Sequence, residues 1–554
     1  MVHQIAASGG LDQGDPSSAI LAPLAVVTAH EVISAHGRVF AEVDDTYLVM
    51  RSDKVKVGLE AVAPAFSPAG GNVKVSKSSV WCNTAVDTGA SGIPQVSALP
   101  DILKQPLPTV SPGGELQFSA HPCERIRANR MQMFNRLGEL REAGLPLQTA
   151  LVLARFATAG DATYLTQCQV LSDAQSAGLD EITIVGTQAL LKISPQEPQA
   201  PIGRWFLPWK AGGMGFQSLL HAAHANFLAG WVRDMPKIIT QTRQPNSDAV
   251  LERIPALQIC LQKVVEERTA KGADDIPALS AALDFEGTPK LASHWRSAVL
   301  ARSRTLLESG GTAEHTVAMR ASSGSGAGAW MAVPTKPSHF LSDQEVLTAT
   351  RLRLCMDVFD VPPGVHVACL HHNQQTACGA ALDADGTHAL LCRLGGHVVR
   401  RHNKLRDTLA DILGDVLEST VHIEQHPAEV TEDERRPDIS FIDYRGMRQW
   451  IDVAVVTPHP RSLPGQATLM RTGALCETME ATKRRKYNML SISPAVMEHL
   501  GHLGQGLCTL LRSVHRDVDP ARRSRMVDLA YQTMAVSLQR ANVTLLAAAG
   551  ALKG

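Results

Sequence analysis

The chain has almost no net charge, no apolar run of membrane length, no internal repeat and no evenly spaced cysteine framework. Its formal net charge is −1, with 53 Lys and Arg against 54 Asp and Glu, so no single-sign field surrounds the whole molecule. That balance does not exclude nucleic-acid binding, because local basic clusters set the electrostatic footprint. No stretch reaches the roughly 20 apolar residues of a membrane helix, and the polar, glycine-rich N-terminus shows no targeting segment. The ten cysteines are scattered apart from Cys369, Cys378 and Cys392, which argues for a reducing compartment and metal binding over disulfides. What the chain does have is length. At 554 residues and 44% apolar content it exceeds one core, and three or four modules are expected.

Periodicity divides the sequence. Residues 1–125 read as a small α/β module: a helical pattern (Ala19–Ala35), strand-like Val39–Val43 and Tyr47–Met50 around an Asp44-Asp45 turn, a helix at Lys54–Phe66, and a strand at Ser79–Trp81. Residues 126–320 read as helical, with a turn-rich interruption at Leu207–Phe216. Ser322–Ala329 is rich in Gly, Ser and Ala and reads as a linker within 321–342. A helix and a Cys/His cluster occupy 343–395. Residues 396–554 combine a basic helix, two strands (Ile439–Ile442 and Gln449–Val456) and a helical C-terminus.

Three groups of residues carry chemistry. The first is N-terminal: Ser8-Gly9-Gly10-Leu11-Asp12-Gln13-Gly14-Asp15-Pro16 reads as a turn feeding a helix, with Asp15 at the N-cap and Pro16 at the first helical position. Adjacent carboxylates such as Asp44-Asp45 at a hairpin tip can hold divalent cations that position phosphate oxygens. Lys77 follows about thirty residues later. The second is Cys369, Cys378, His388 and Cys392, a C-x8-C-x9-H-x3-C array whose thiolates and imidazole suit tetrahedral zinc. Its first pair is widely spaced, so His371 or His372 could replace Cys369, and His397 is near.

The third group lies on the strand pair. Asp438, in Arg436-Pro437-Asp438, begins one strand, and Asp452 lies inside the next. Strand alternation puts Ile451, Val453 and Val455 on one face and Asp452, Ala454 and Val456 on the other. A carboxylate inside an apolar strand is costly without a partner. A hairpin bringing Asp438 and Asp452 to one edge would hold Mg2+ (or Mn2+) and a scissile phosphate, with a lysine neutralising developing charge. Basic residues cluster nearby: Arg400-Arg401-His402 with Lys404 and Arg406, then Arg435-Arg436, then Lys483-Arg484-Arg485-Lys486.

Together these strings resemble a non-LTR retrotransposon polyprotein. Ser8–Pro16 resembles the template-positioning motif of reverse transcriptases, and Asp44-Asp45 and Lys77 (in Gly70–Ser78) stand in the order of the palm. Leu145–Leu153 and Leu207–Gly215 resemble the segments that follow it. Cys378-Gly379, Asp385–Cys392 and Arg400–Asn403 resemble the Cys-Cys-His-Cys knuckle leading into the nuclease. Pro437-Asp438, Asp452 and Lys483-Arg484-Arg485-Lys486-Tyr487 resemble the restriction-enzyme-like nuclease with its lysine displaced to a following helix, either Lys483 or Lys486. Pro494, Glu498, Gly501, Ser537–Gln539 and Asn542 match its C-terminal end.

The resemblance implies a multidomain α/β and α chain: a partial palm (1–125), a helical thumb or connector (126–320), a zinc knuckle (343–395) and a restriction-endonuclease-like α/β domain with helical C-terminus (396–554). It implies Mg2+ (or Mn2+) at Asp438 and Asp452 and at Asp44 and Asp45. It places zinc at Cys369, Cys378, His388 and Cys392, and nucleic-acid contacts at Gln13, Gly14, Asp15, Lys77, Arg401, His402 and Tyr487. DNA target and element RNA are the implied partners, in the nucleus and away from membranes. Glu42, where the family carries an aromatic or small residue, adds charge repulsion to the Asp pair. The family's first catalytic Asp falls upstream of Ser8, so DNA nicking is the expected activity and polymerisation is not. The alternative is a non-catalytic nucleic-acid-binding remnant.

Overall fold

The structure is a computed structural model that describes residues 27–42, 45–69, 73–82, 84–96, 109–118, 120–197, 200–270, 279–283, 291–362, 364–417, 420–427, 436–443, 445–459, 463–488, 490–516 and 519–553. The string Ser8–Pro16 and Asp44 lie outside these residues. The chain forms two compact units, one of residues 1–109 and 117–119, the other of residues 110–116 and 120–554.

In the first unit, β1 (Arg38–Glu42) and β2 (Asp45–Val49) form an antiparallel hairpin with Glu42 opposite Asp45. The alternating apolar residues on both sides of the Asp pair dictate this pairing. Helix α1 (Val55–Phe66) follows. Lys77 is exposed and ends a 3-10 turn, Val75–Lys77, ahead of a short strand, Val80–Trp81.

The second unit is mixed α/β and mostly helical. Helices α2 (His121–Glu142), α3 (Leu147–Gly160) and α4 (Asp173–Leu190) bury Phe134, Leu137, Ala150, Leu151, Ala154 and Ile184 in one core. Helix α5 (Leu219–Thr242) continues the bundle. Helix α6 (Asp343–Leu354) starts at a capping box in which Ser342 and Glu345 satisfy each other's backbone N–H groups. Ser322, Ser323 and Ala327, expected in a linker, are buried. Their segment is fastened in place: Gly324 N–H donates to the Lys210 carbonyl at 2.8 Å, and Arg353 of α6 donates to the carbonyls of Ala327 (3.0 Å), Gly213 (3.0 Å) and Trp209.

The C-terminal part is built on a four-stranded mixed sheet. Its strands are β3 (His422–Ile423), β4 (Ile439–Ile442), β5 (Arg448–Val456) and β6 (Ile492–Glu498), in the order β6-β5-β4-β3. β4 and β5 are antiparallel, with Ile439 opposite Ile451. β5 and β6 are parallel, with Asp452 opposite Pro494, and helix α9 (Ala474–Lys486) forms part of the crossover between them. Helix α8 (His397–Val416) covers the other face, its Leu405, Leu409, Ile412 and Leu413 meeting Ile439, Ile451 and Val453. Helix α7 (Thr387–Leu391) precedes it, and α10 (Gln505–Val514) and α11 (Pro520–Ala549) complete the unit.

Replacing Arg353 by Met leaves the Gly213, Ala327 and Trp209 carbonyls without their shared donor. Such a loss from a buried network is expected to destabilise the protein by about 3 kcal/mol, read as a lower denaturation midpoint. An unchanged midpoint contradicts the role given to this arginine.

Candidate metal centre and carboxylate site

Two sites emerge in the second unit. At the first, Cys369 leads a tight loop closed by bridges between Ala368 and Ala381 and between His372 and Ala377. That fold-back brings Cys378 toward Cys369, and α7 delivers His388 with Cys392 at its C-terminal end. One ligand atom from each of Cys369, Cys378, His388 and Cys392 lies within 4.8 Å of all the others, a set that can hold a metal such as zinc. Burial pushes the Cys369 thiol up to about 11. A thiophilic cation is what would favour the thiolate there.

His371 and His372 do not replace Cys369. His371 is buried, its Nε2 meets the Leu545 carbonyl at 3.0 Å, and its ring stacks on His397 at 4.4 Å. His372 Nδ1 bonds the Leu370 carbonyl. Spacing alone could not separate these candidates, whereas the loop's hydrogen bonds do.

The second site is where α9 meets the sheet. Cys476, Glu480, Lys483 and Tyr487 recur at helical spacing and point toward β5 and β6. Asp452, at 4% exposure, faces this helix, while Ile451 and Val453 pack on the opposite side with α8. Lys483 Nζ forms an ion pair with Asp452 Oδ2, and the Tyr487 hydroxyl donates to Asp452 Oδ1 at 2.7 Å and reaches the Arg436 carbonyl at 3.1 Å. Burial, then the hydrogen bond to Asp452 and the charges of Asp452 and Asp438, raise the Tyr487 phenol well above its ordinary range.

Asp438 immediately precedes β4, whose Ile439 lies opposite Ile451, and its N–H donates to the Ile451 carbonyl at 2.9 Å. Asp438 Oδ2 accepts the Val453 N–H at 2.6 Å, and Oδ1 meets His402 Nε2 of α8 at 3.1 Å. The structure therefore gathers Asp438, Asp452, Lys483, His402 and Tyr487. Lys486 is exposed and lies over the Tyr487 ring at 4.7 Å. Among the described residues, only the Cys369 set brings three or more His, Cys, Asp or Glu ligand atoms this close together.

Two residues expected at the nucleic acid are buried. Tyr487 is 2% exposed and Arg401 3%, so neither offers a surface. Arg401 donates to Asn542 Oδ1 (3.1 Å) and the Leu390 carbonyl (3.4 Å), and burial lowers it to about 10. It ties α7, α8 and α11 together. A basic or aromatic residue beside charged neighbours reads as surface when its tertiary partners lie far along the chain. Of the N-terminal candidates, Gln13, Gly14, Asp15 and Asp44 lie outside the described residues, and Asp45 is placed by its backbone in β2.

Glu498 is a further buried acid, on β6. It is fully buried, neither carboxylate oxygen has a hydrogen-bond partner, and burial raises it to about 8. It shares the face of Asp452, opposite Val456 at the far end of the sheet. A carboxyl group whose folded value exceeds its unfolded one favours folding below the unfolded value. That contribution is lost between about pH 4.5 and about 8. Subtracting the stability curve of Glu498→Gln from that of wild type is expected to give a difference that falls across this window. A flat difference refutes the assignment.

No helix among the described residues is long and apolar enough to cross a membrane. A scan against protein-family models and a search of curated proteins give no significant match to the chain.

Proposed function

We propose that the chain is a metal-dependent DNA-nicking endonuclease of non-LTR retrotransposon origin, acting in the nucleus, with Asp438, Asp452 and Lys483 at the reacting phosphate and element RNA as a second partner. One observation carries the reading: Asp452 inside one strand, Asp438 just ahead of the neighbouring strand and a lysine from the crossover helix converge on one small mixed sheet. Hard carboxylate oxygens suit Mg2+ or Mn2+, and among the described residues the polar partner of Asp452 Oδ2 is the Lys483 ammonium alone. A bound cation would activate water and polarise the phosphate. Around it, Asp438 and Asp452 supply the ligands, and Lys483 offsets charge developing on the phosphate. His402, its side chain about a third exposed, holds Asp438 Oδ1 at the rim of the site. Zinc in the Cys/His set is the structural metal of this reading.

A non-catalytic nucleic-acid-binding role is the second reading. It is favoured by the engagement of all four carboxylate oxygens by the protein's own groups.

Wild-type protein is expected to nick supercoiled plasmid with Mg2+ or Mn2+. Asp452→Asn and Lys483→Met should each lose about a hundredfold or more, and Lys486→Met should stay near wild type. A folded wild type that leaves the plasmid intact, or an Asp452→Asn variant equal to it, refutes the endonuclease.

A second measurement addresses zinc. Cys392→Ser is expected to lower zinc content from one ion per chain to well below one and to reduce the melting temperature. Unchanged zinc content would place the ion elsewhere.

A further inference from the structure

The four carboxylate oxygens of Asp438 and Asp452 have partners of two kinds. Asp438 Oδ2 accepts a main-chain N–H from Val453, and Asp452 Oδ1 accepts the hydroxyl of buried Tyr487. Neither partner can leave without unpacking the sheet or the end of α9. The other two oxygens meet long side chains reaching in from helices. His402 contacts Asp438 Oδ1 with its side chain 31% exposed, and Lys483 contacts Asp452 Oδ2 with its side chain 20% exposed. Each carboxylate thus has one permanent partner and one that can withdraw toward solvent.

We propose that Lys483 is an exchangeable occupant of this site, neutralising Asp452 in the metal-free protein and releasing it to an entering hard divalent cation while Tyr487 stays in place. The inference rests on the endonuclease reading and adds how its site is kept closed. Asp452 is too buried to stand as a lone carboxylate, because an unpaired buried charge is strongly destabilising. A lysine meets that need without a rigid fork: it is a point charge on a flexible four-carbon stem. It sits in the last turn of α9 beside Arg484, Arg485 and Lys486, so the rim it would withdraw to is basic. A phosphate at that rim would receive it. Withdrawal converts the lysine that guards the carboxylate into the one that faces the substrate.

Competition has a measurable consequence. When a site is open only part of the time, its apparent affinity falls by the open fraction. Removing Lys483 therefore tightens metal binding even though it removes a group needed for cleavage.

The test is a Mn2+ titration, read by the electron-spin signal of free Mn2+, on zinc-loaded wild type, Asp452→Asn and Lys483→Met, with Lys483→Gln as a second variant if Met fails to fold. Wild type is expected to bind one Mn2+ that Asp452→Asn loses, and the Lys483 variant to bind it about tenfold more tightly. The Lys483 variant should also melt below wild type without Mn2+ and level with it at saturation. Unchanged or weaker Mn2+ binding by the variant, or a melting deficit that persists at saturation, overturns the exchange and leaves the endonuclease standing. A wild type with no Asp452-dependent Mn2+ site overturns both.

Discussion

Asp452 sets a requirement that shapes everything around it. A carboxylate buried at the centre of an apolar strand must be compensated on the spot, and the free energy at stake rivals that of the whole fold. Compensation comes from α9, which reaches Asp452 with Lys483 and Tyr487 at its C-terminal end. That contact explains why one face of α9 carries polar groups against a sheet. Glu480, further up the helix, is buried and accepts the Gly506 N–H at 2.9 Å, so the polar strip continues beneath the helix. Asp438, just ahead of β4, ties one carboxylate oxygen to the Val453 N–H of the strand that carries Asp452.

Helix α11 is the second organising element. Its residues join three cores in turn: Met534 and Leu538 meet the core of the C-terminal sheet, Ala535 and Val536 the helical bundle, and Leu545, Leu546 and Ala549 the Cys/His region. The metal loop closes its end, with Leu370 N–H donating to the Ala549 carbonyl at 2.9 Å and His371 meeting that of Leu545. The first of these contacts satisfies a carbonyl that a helix end otherwise leaves unpaired. Arg401 joins the same junction through Asn542, whose amide reaches the His499 carbonyl beyond β6. The Cys/His cluster and the carboxylate site are therefore parts of one packed unit, joined through α8 and α11.

Local pattern made the sheet legible. Alternation along Trp450–Val456 put Asp452 on the correct face, and the antiparallel pairing with Ile439–Ile442 followed from the turn between them. A helix over Asp343–Phe359 was expected; it starts there, anchored by Ser342 and Glu345, and ends at Leu354, where Cys355 takes a left-handed conformation. What remained hidden depends on contacts between distant segments. Lys483 and Lys486 are equivalent in sequence, and only the pitch of α9 against β5 separates them. Arg401 and Tyr487 carry surface-like chemistry, yet both are buried by partners far along the chain. The Ser322–Ala329 segment has a linker's composition, but its small residues serve close packing. Gly501 has a φ of +105°, and a Cβ there would stand 2.9 Å from the Ala327 carbonyl oxygen.

The most direct test of the central claim is an anomalous-scattering map from crystals of the protein soaked in Mn2+. A peak shared by the carboxylates of Asp438 and Asp452 is expected, with the Lys483 ammonium withdrawn from Asp452 and the Tyr487 hydroxyl still on it. A map with no peak there, or one with the Lys483–Asp452 ion pair intact beside bound metal, would contradict it.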